Sequence, residues 1–232
     1  MLSIYRHPKK LNQRGFTLIE LMVATVVFSI ILLVATYGLL QIGRTYDEGL
    51  NEVNTQQTAQ AALDTISQDI QFNSGMVSEA VNGPAYVICI GKDRYSALMH
   101  QELYDNSTSH ALIQDATSGF CNPVGSSPNG PIVGLNGATP LAPQVGMAKE
   151  LLAPSMRLAN LSVANIPLGS DLYIINIRVV YGEKNVLCSP TLHDCNNSAL
   201  TNINQTDLSC KGGVINQFCA VSDLTTTVQR RL

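Results

Sequence analysis

The residues at the N-terminus place a glycine, a long apolar stretch and one carboxylate next to one another. The leader before Gly15 carries no acidic side chain, and its basic side chains are Arg6, Lys9, Lys10 and Arg14. Glu20 is the only charged residue between Phe16 and Leu40. Glycine has no side chain, so a protease can approach its backbone closely. This junction of a basic leader, a glycine and an apolar stretch looks like a processing site.

The apolar stretch from Phe16 to Leu40 is long enough to span a membrane. A helix rises about 1.5 Å per residue, and the hydrocarbon core of a bilayer is about 30 Å thick. Basic residues stay on the cytoplasmic side, which places the leader in the cytoplasm and the chain after Leu40 outside. A secretory signal peptide has a shorter apolar core and is cut after it. A cut at Gly15 instead leaves the apolar helix on the mature protein.

Glu20 is unusual because it lies inside this apolar stretch. A carboxylate in a membrane span costs about 2.5–3.5 kcal/mol on insertion scales and usually faces protein, with a partner. Two interpretations follow from the residues alone. Glu20 either reaches the lipid headgroups or pairs with a cation supplied by another protein chain.

The run from Arg14 to Leu21, Arg-Gly-Phe-Thr-Leu-Ile-Glu-Leu, resembles the class III leader of type IV prepilins and pseudopilins. The resemblance is specific from about Lys9 to Gln71 and loose beyond that. It implies cleavage between Gly15 and Phe16 by a prepilin peptidase, N-methylation of Phe16, and a filament built from packed N-terminal helices. It also implies that Glu20 pairs with the N-terminal amine of a neighbouring subunit, which sets the register between subunits.

Four segments are predicted: a leader over 1–15, a transmembrane helix over 16–40, an amphipathic extension of that helix over 41–73, and an extracytoplasmic β-rich domain over 74–232. The extension is expected to pack on a sheet through apolar residues at three-, four- or seven-residue steps. These residues are Tyr46, Leu50, Val53, Leu63, Ile66 and Ile70. Asn73-Ser74-Gly75 is the expected stop. The absence of proline between Phe16 and Gln71 predicts a straighter helix than that of many major pilins.

The remaining sequence alternates short apolar runs with Gly, Pro, Asn and Ser, a pattern typical of strands and turns. The predicted strands are Ala85–Ile90, Tyr95–Met99, Met156–Ile166, Leu172–Tyr181 and Val214–Val228. Along Leu172–Tyr181, Asn176 and Arg178 are expected on one face and Ile175, Ile177 and Val179 on the other. Residues 122–143 read as a surface loop, and Met147–Leu152 as one or two helical turns. The end of the chain weakly resembles minor pilins of the PilW and pseudopilin J type, with a surface edge strand as the alternative.

Six cysteines in a segment expected outside the cytoplasm suggest disulfides. Short loops close most easily, which favours Cys188 with Cys195, Cys210 with Cys219, and Cys89 with Cys121. Zinc bound by His193 and nearby cysteines is the alternative, although no C-x-x-C pair occurs.

No catalytic constellation is visible. His100, His110 and His193 lack a neighbouring nucleophile motif, and no phosphate-binding loop or calcium loop occurs. Asp105, Asp115 and Asp194 read as solvated loop acids. We therefore expect no enzyme and no cofactor, and calcium bound by loop carbonyls has no support in the sequence. Removing the leader's four positive charges from the formal net charge of −3 leaves about −7, which argues against nucleic acid as a partner.

These features predict an α+β, pilin-like fold, with a long N-terminal helix packed on an antiparallel sheet. The expected function is a minor subunit of a type IV pilus, first a single-pass membrane protein and then part of a surface filament. Expected partners are other pilins through the N-terminal helix, the prepilin peptidase, the assembly machinery and the membrane. The alternatives are a pseudopilin of type II secretion or DNA uptake, and an anchored adhesin or binding protein that never polymerises.

Overall fold

The computed structural model describes residues 16–73, 77–82, 85–100, 111–116, 149–167, 169–191, 195, 206–212 and 216–231. The chain divides into two compact units, residues 1–44 and 45–232. The predicted surface loop over residues 122–143, as well as Asp105, Asp194, His110 and His193, lies outside the described residues.

One helix, α1, runs from Leu18 to Phe72. No proline interrupts its hydrogen-bond ladder, as the sequence indicates. The helix ends one residue before Asn73, the first residue of the predicted stop. The predicted α+β architecture is confirmed, because α1 is followed by antiparallel sheets.

The buried face of α1 begins later than predicted. Its buried residues are Thr55, Ala59, Ala62, Leu63, Ile66, Ser67 and Ile70. The prediction was wrong for Tyr46, Leu50 and Val53, which are 65%, 44% and 49% exposed. The ten-residue gap between Val53 and Leu63 turns a helix by about 80° short of whole turns, so the two apolar sets lie on different faces.

The first sheet has five antiparallel strands in the order β1-β2-β3-β4-β5. They are β1 Val77–Asn82, β2 Ala85–Ile90, β3 Asp93–Leu98, β4 Leu112–Ala116 and β5 Lys149–Glu150. The helical turn predicted over Met147–Leu152 is wrong, because β5 pairs with β4 through Glu150 opposite Ile113. Asp115 likewise lies in β4, opposite Arg94, and not in a loop.

The second sheet has three antiparallel strands in the order β10-β7-β6. They are β6 Met156–Asn165, β7 Leu172–Tyr181 and β10 Ala220–Gln229. The predicted alternation of β7 is confirmed: Ile175, Ile177 and Val179 are fully buried, whereas Asn176 and Arg178 lie on the other face. The last strand begins at Ala220 and not at Val214, because residues 216–218 form a 3₁₀ turn before it.

The main core lies between α1 and the two sheets. Ile66 and Ile70 of α1 meet Ile88 and Tyr95 of the first sheet and Ile177 of the second in one cluster. A smaller cluster joins the outer side of the second sheet to the short hairpin of β8 Leu187–Cys188 and β9 Ser209–Cys210.

Disulfides fix the region around this hairpin. Cys188 is bonded to Cys195 and Cys210 to Cys219, which are two of the three pairs that the sequence predicts. Cys89 is also disulfide-bonded, and its predicted partner Cys121 lies outside the described residues. The zinc alternative is wrong for Cys188 and Cys195, since a sulfur in a disulfide is not a free thiolate.

Candidate functional site

The N-terminal unit presents an almost continuous apolar surface. From Phe16 to Leu40 every residue is exposed except Gly38, which is half-buried. Phe16 is 86% exposed and Leu33 71% exposed. By length and composition, α1 is the one helix in the described part of the chain that could cross a membrane. Water does not stabilise a surface of this kind, so it is suited to lipid or to the helices of other chains.

Three hydroxyl groups within this stretch bond to carbonyls of the helix itself. Thr25 Oγ1 donates to the carbonyl of Met22 at 2.9 Å, and Ser29 Oγ donates to the carbonyl of Thr25 at 2.7 Å. Thr36 Oγ1 bonds to the carbonyl of Leu32 in the same way at 2.8 Å. These internal bonds lower the penalty of placing hydroxyls in an apolar medium. The one charged residue of the stretch is Glu20.

Glu20 forms a capping box with Thr17 at the start of α1. Its Oε2 accepts hydrogen bonds from the Thr17 backbone N–H and from Thr17 Oγ1, both at 2.9 Å. The Glu20 N–H in turn donates to Thr17 Oγ1 at 3.3 Å. Such reciprocal bonds satisfy N–H groups that the first turn of a helix leaves unpaired. Glu20 therefore has a structural role that the sequence analysis missed, although the Thr-x-x-Glu spacing was its signal.

The capping box uses only part of the carboxylate. Both recorded bonds reach Oε2, and within the described residues Oε1 has no hydrogen bond or ion pair. A carboxylate accepts several bonds, so Oε1 can take a donor from outside this chain. The predicted pairing with a neighbour's amine is compatible with the cap.

The other predicted site residues are not brought together with Glu20. Gly15 lies outside the described residues, and Phe16 is exposed just before the helix begins. The disulfides Cys188–Cys195 and Cys210–Cys219 belong to the C-terminal unit. The cleavage and methylation assignments therefore stay predictions.

Within the C-terminal unit, a polar cluster joins α1 to the first sheet. The Tyr95 hydroxyl donates to Asp69 Oδ2, and Gln114 Nε2 donates to the same oxygen at 3.2 Å. Burial raises the pKa of Asp69, whereas the hydrogen bonds from Tyr95 and Gln114 oppose that rise. Burial and the adjacent Asp69 carboxylate raise the pKa of Tyr95 well above its usual range, which keeps it a donor. The cluster has the chemistry of a structural anchor.

A shallow groove of about 350 Å³ lies between α1 and the segment 149–153. Its charged lining residues are Lys149 and Glu150. Glu150 is already engaged, since its two oxygens accept the N–H groups of Ala111 at 3.1 Å and Leu112 at 2.9 Å. The described lining residues include no cysteine, serine or histidine.

His100 is the one histidine among the described residues. Burial, followed by the charge of Arg157, lowers the pKa of its imidazole. Arg157 Nη2 donates to the carbonyl of Gly182 at 2.7 Å and so links β6 to the end of β7. Across the described residues, no group of three or more His, Cys, Asp or Glu side chains is arranged to hold a metal ion.

Comparison with models of protein families gives a match at the N-terminus. The family model of the prokaryotic N-terminal methylation motif matches residues 10–36, which include Gly15, Phe16 and Glu20. No curated protein and no solved structure is significantly similar to the chain. The motif shows a class III leader of the type IV prepilin and pseudopilin kind, and it points to a structural subunit in preference to an enzyme.

Proposed function

We propose that this chain is a minor subunit of a type IV pilus. The prepilin peptidase cuts between Gly15 and Phe16, the new N-terminal amine of Phe16 is methylated, and α1 enters a filament. The observation that carries the proposal is the methylation motif over residues 10–36, which overlaps the start of α1, where the apolar side chains are exposed. Before assembly the same helix anchors the protein in the membrane, with the C-terminal unit outside the cytoplasm.

Glu20 supplies the electrostatic part of assembly in this proposal. The amine created at Phe16 is a cation in an apolar medium, where an unpaired charge is strongly disfavoured. Oε1 of Glu20 in a neighbouring subunit accepts it, while Oε2 keeps its bonds to Thr17. Pairing can form only after cleavage, since the uncut precursor has a peptide bond in place of the amine. Processing and assembly are thereby coupled.

The domain outside the membrane has a mechanical role in this scheme. Its disulfides brace the hairpin of β8 and β9, and the Asp69–Tyr95 bond ties the end of α1 to the first sheet. A domain that is presented on a filament must stay folded without cytoplasmic chaperones. Covalent links and a buried polar anchor serve that requirement.

The direct test is N-terminal mass analysis of the protein in material sheared from its native cells. We expect the chain to begin at methylated Phe16, and Gly15→Trp to leave a heavier, unprocessed precursor in the membrane. A mature protein that begins at Met1, or one that is processed but confined to the membrane, would overturn the pilus assignment. Gly38→Trp is the matched control, since it adds the same bulk to the exposed helix away from the junction.

Deletion separates a pilus subunit from a pseudopilin. Loss of surface filaments or of twitching, with normal secretion of exoproteins, supports the minor pilin. Loss of secretion with intact filaments would assign the chain to a type II secretion system instead. An anchored adhesin that never polymerises predicts neither defect, together with absence from sheared filaments.

A further inference from the structure

The strand β10 forms an edge of the second sheet. One hydrogen bond shows which of its residues point their backbone N–H and C=O groups toward β7. The Arg230 N–H donates to the carbonyl of Asp171 at 2.8 Å, which continues the β10–β7 register by one residue. In an antiparallel ladder, alternate residues point their N–H and C=O groups toward the partner strand. The even residues of β10 therefore bond to β7. The odd ones, Val221, Asp223, Thr225, Thr227 and Gln229, point their backbone groups away from it.

The neighbouring ladder confirms this alternation. The Ile166 N–H donates to the carbonyl of Leu172 at 2.9 Å, so the even residues of β7 bond to β6 and its odd residues are left for β10. The same alternation predicts that the backbone N–H and C=O of Val163 in β6 point away from β7. Its N–H indeed bonds to a group outside the sheet, Glu79 Oε1, at 2.7 Å.

The two outer edges of this sheet differ in whether their outward-pointing backbone groups are hydrogen-bonded. On β6, Glu79 accepts the Val163 N–H, and the carbonyl of Leu158 accepts the His100 N–H at 2.8 Å. On the β10 side, an outward-pointing N–H is hydrogen-bonded only beyond the end of the strand, among the described residues. There the Arg231 N–H donates to the carbonyl of Gln71 at 3.1 Å. Among the described residues, nothing bonds to the outward backbone groups between Val221 and Gln229.

β10 also lacks the usual protection of a free edge. Natural edge strands are short, bulged, interrupted by proline or charged. β10 has ten residues, no proline and an unbroken register with β7, whereas the β6–β7 register shifts between Leu158 and Asn160. Its single charge, Asp223, is already paired with Arg178 at 3.1 Å. The centre of the strand, Thr225-Thr226-Thr227, is uncharged and β-branched, which favours pairing.

We propose that the outer edge of β10 binds an extended segment of another polypeptide chain as a fourth strand of this sheet. Alternating donors and acceptors about 6.6 Å apart match the backbone of another strand. The neighbouring side chains fix the chemistry of the segment. On the inner face it meets Leu224 and buried Val228 and takes apolar residues, whereas on the outer face it meets exposed Thr225 and Thr227 and takes polar ones.

Hydrogen exchange of the full-length protein in detergent tests whether this edge is open. The N–H groups of Thr225 and Thr227 should exchange at least about tenfold faster than those of Leu224 and Thr226, which bond to β7. Equal protection of the odd and even amides would mean that the edge is covered within the chain, and the proposal would fail.

Photo-crosslinking in native cells then tests the occupant. A benzoylphenylalanine residue placed at Thr225 or at Thr227 should react with one segment of another polypeptide, and its attachment point should move by two residues between the two positions. The same probe at exposed Glu183 is the control and should not reach that segment. Scattered attachment points, or none, would overturn the proposal. The result does not depend on whether the chain is cleaved or polymerises.

Two substitutions complete the test. Thr225→Pro removes an outward N–H and no bond to β7, so it should abolish the crosslink from position 227 while the thermal midpoint changes little. Thr227→Lys adds a charge to the edge without altering the backbone. In this variant the crosslink from a probe at position 225 should weaken severalfold. An undiminished crosslink in folded Thr227→Lys and Thr225→Pro proteins would refute strand addition.

Discussion

The hydroxyl of Tyr95 in β3 donates a hydrogen bond to the carboxylate of Asp69 in α1. The two residues are 26 positions apart in sequence, and the bond joins the last turns of the helix to the centre of the first sheet. Tyr95 is fully buried, so its hydroxyl has no access to bulk water. This bond ties α1 to the first sheet.

Tyr95→Phe tests the strength of this anchor. The substitution leaves the Asp69 carboxylate with one donor fewer in a half-buried site, and a hydrogen bond to a charged group contributes about 1.5–3 kcal/mol. We expect the free energy of unfolding of the full-length protein, measured in detergent with urea, to fall by that amount. Tyr46→Phe removes a hydroxyl from a 65% exposed tyrosine of the same helix and should change it by less than about 0.5 kcal/mol.

Asp69→Asn tests the pH dependence of the same cluster. Burial raises the pKa of Asp69 above its ordinary 3.8, so the folded state disfavours the charged form relative to the unfolded chain. The favourable contribution of the protonated group is complete below pH 3.8 and is lost as the pH rises through the raised pKa. The stability of Asp69→Asn relative to the natural protein should therefore increase over that rise. Asp64→Asn, at an exposed position of the same helix, controls for the loss of one negative charge. A relative stability that falls with rising pH would contradict the assignment.

Glu20→Gln separates the two roles assigned to Glu20. The amide oxygen of glutamine can still accept the bonds from Thr17, so the capping box survives while the negative charge is lost. We expect normal membrane insertion and cleavage, but at least about tenfold less protein in sheared filaments, because the amine of a neighbour is left without a counter-ion.

Thr17→Ala is the reciprocal variant of Glu20→Gln. It removes the hydroxyl of the cap and keeps the carboxylate, so assembly should stay within about twofold of normal while helix stability falls by about 0.5–2 kcal/mol. Normal assembly of Glu20→Gln combined with failure of Thr17→Ala would mean that Glu20 acts as a cap alone.

Local patterns in the sequence predict a large part of this fold. The alternation along Leu172–Tyr181 gives the strand bounds and both faces correctly, because side chains in a strand change sides at every residue. The disulfides Cys188–Cys195 and Cys210–Cys219 follow from short loop closure. The N-terminal motif likewise depends on neighbouring residues, and the family match covers the same stretch.

The errors occur where tertiary contacts decide the structure. Helical spacing cannot tell which of two apolar faces meets a sheet, so it predicts Leu50 and Val53 in the core although both are exposed. The segment of β5 has no strand signal of its own and pairs only because β4 lies beside it. The Asp69–Tyr95 anchor leaves no local trace, since its partners are distant in sequence.

Gly182 allows a prediction about the junction between the sheet and the disulfide-braced hairpin. Its φ is +124°, and an added Cβ would lie 2.8 Å from the Phe218 carbonyl oxygen and 2.9 Å from Val186 Cγ2. Gly182 also accepts the bond from buried Arg157 at 2.7 Å, so the backbone has little freedom to move away. Gly182→Ala should therefore combine backbone strain with a steric clash against the residue that precedes Cys219.

Gly169→Ala is the matched variant for Gly182→Ala. Its φ is +84°, but an added Cβ would meet nothing within 4 Å. It should lower the free energy of unfolding by about 1–2 kcal/mol through strain alone. Gly182→Ala should lower it by about 1–3 kcal/mol more, because the clash is added to the strain. Urea titration of both proteins with their disulfides intact measures the difference. An equal decrease in the free energy of unfolding of both variants would mean that Phe218 and Val186 move aside at little cost. The hairpin would then be held to the second sheet by the Cys210–Cys219 bond and not by close packing at Gly182.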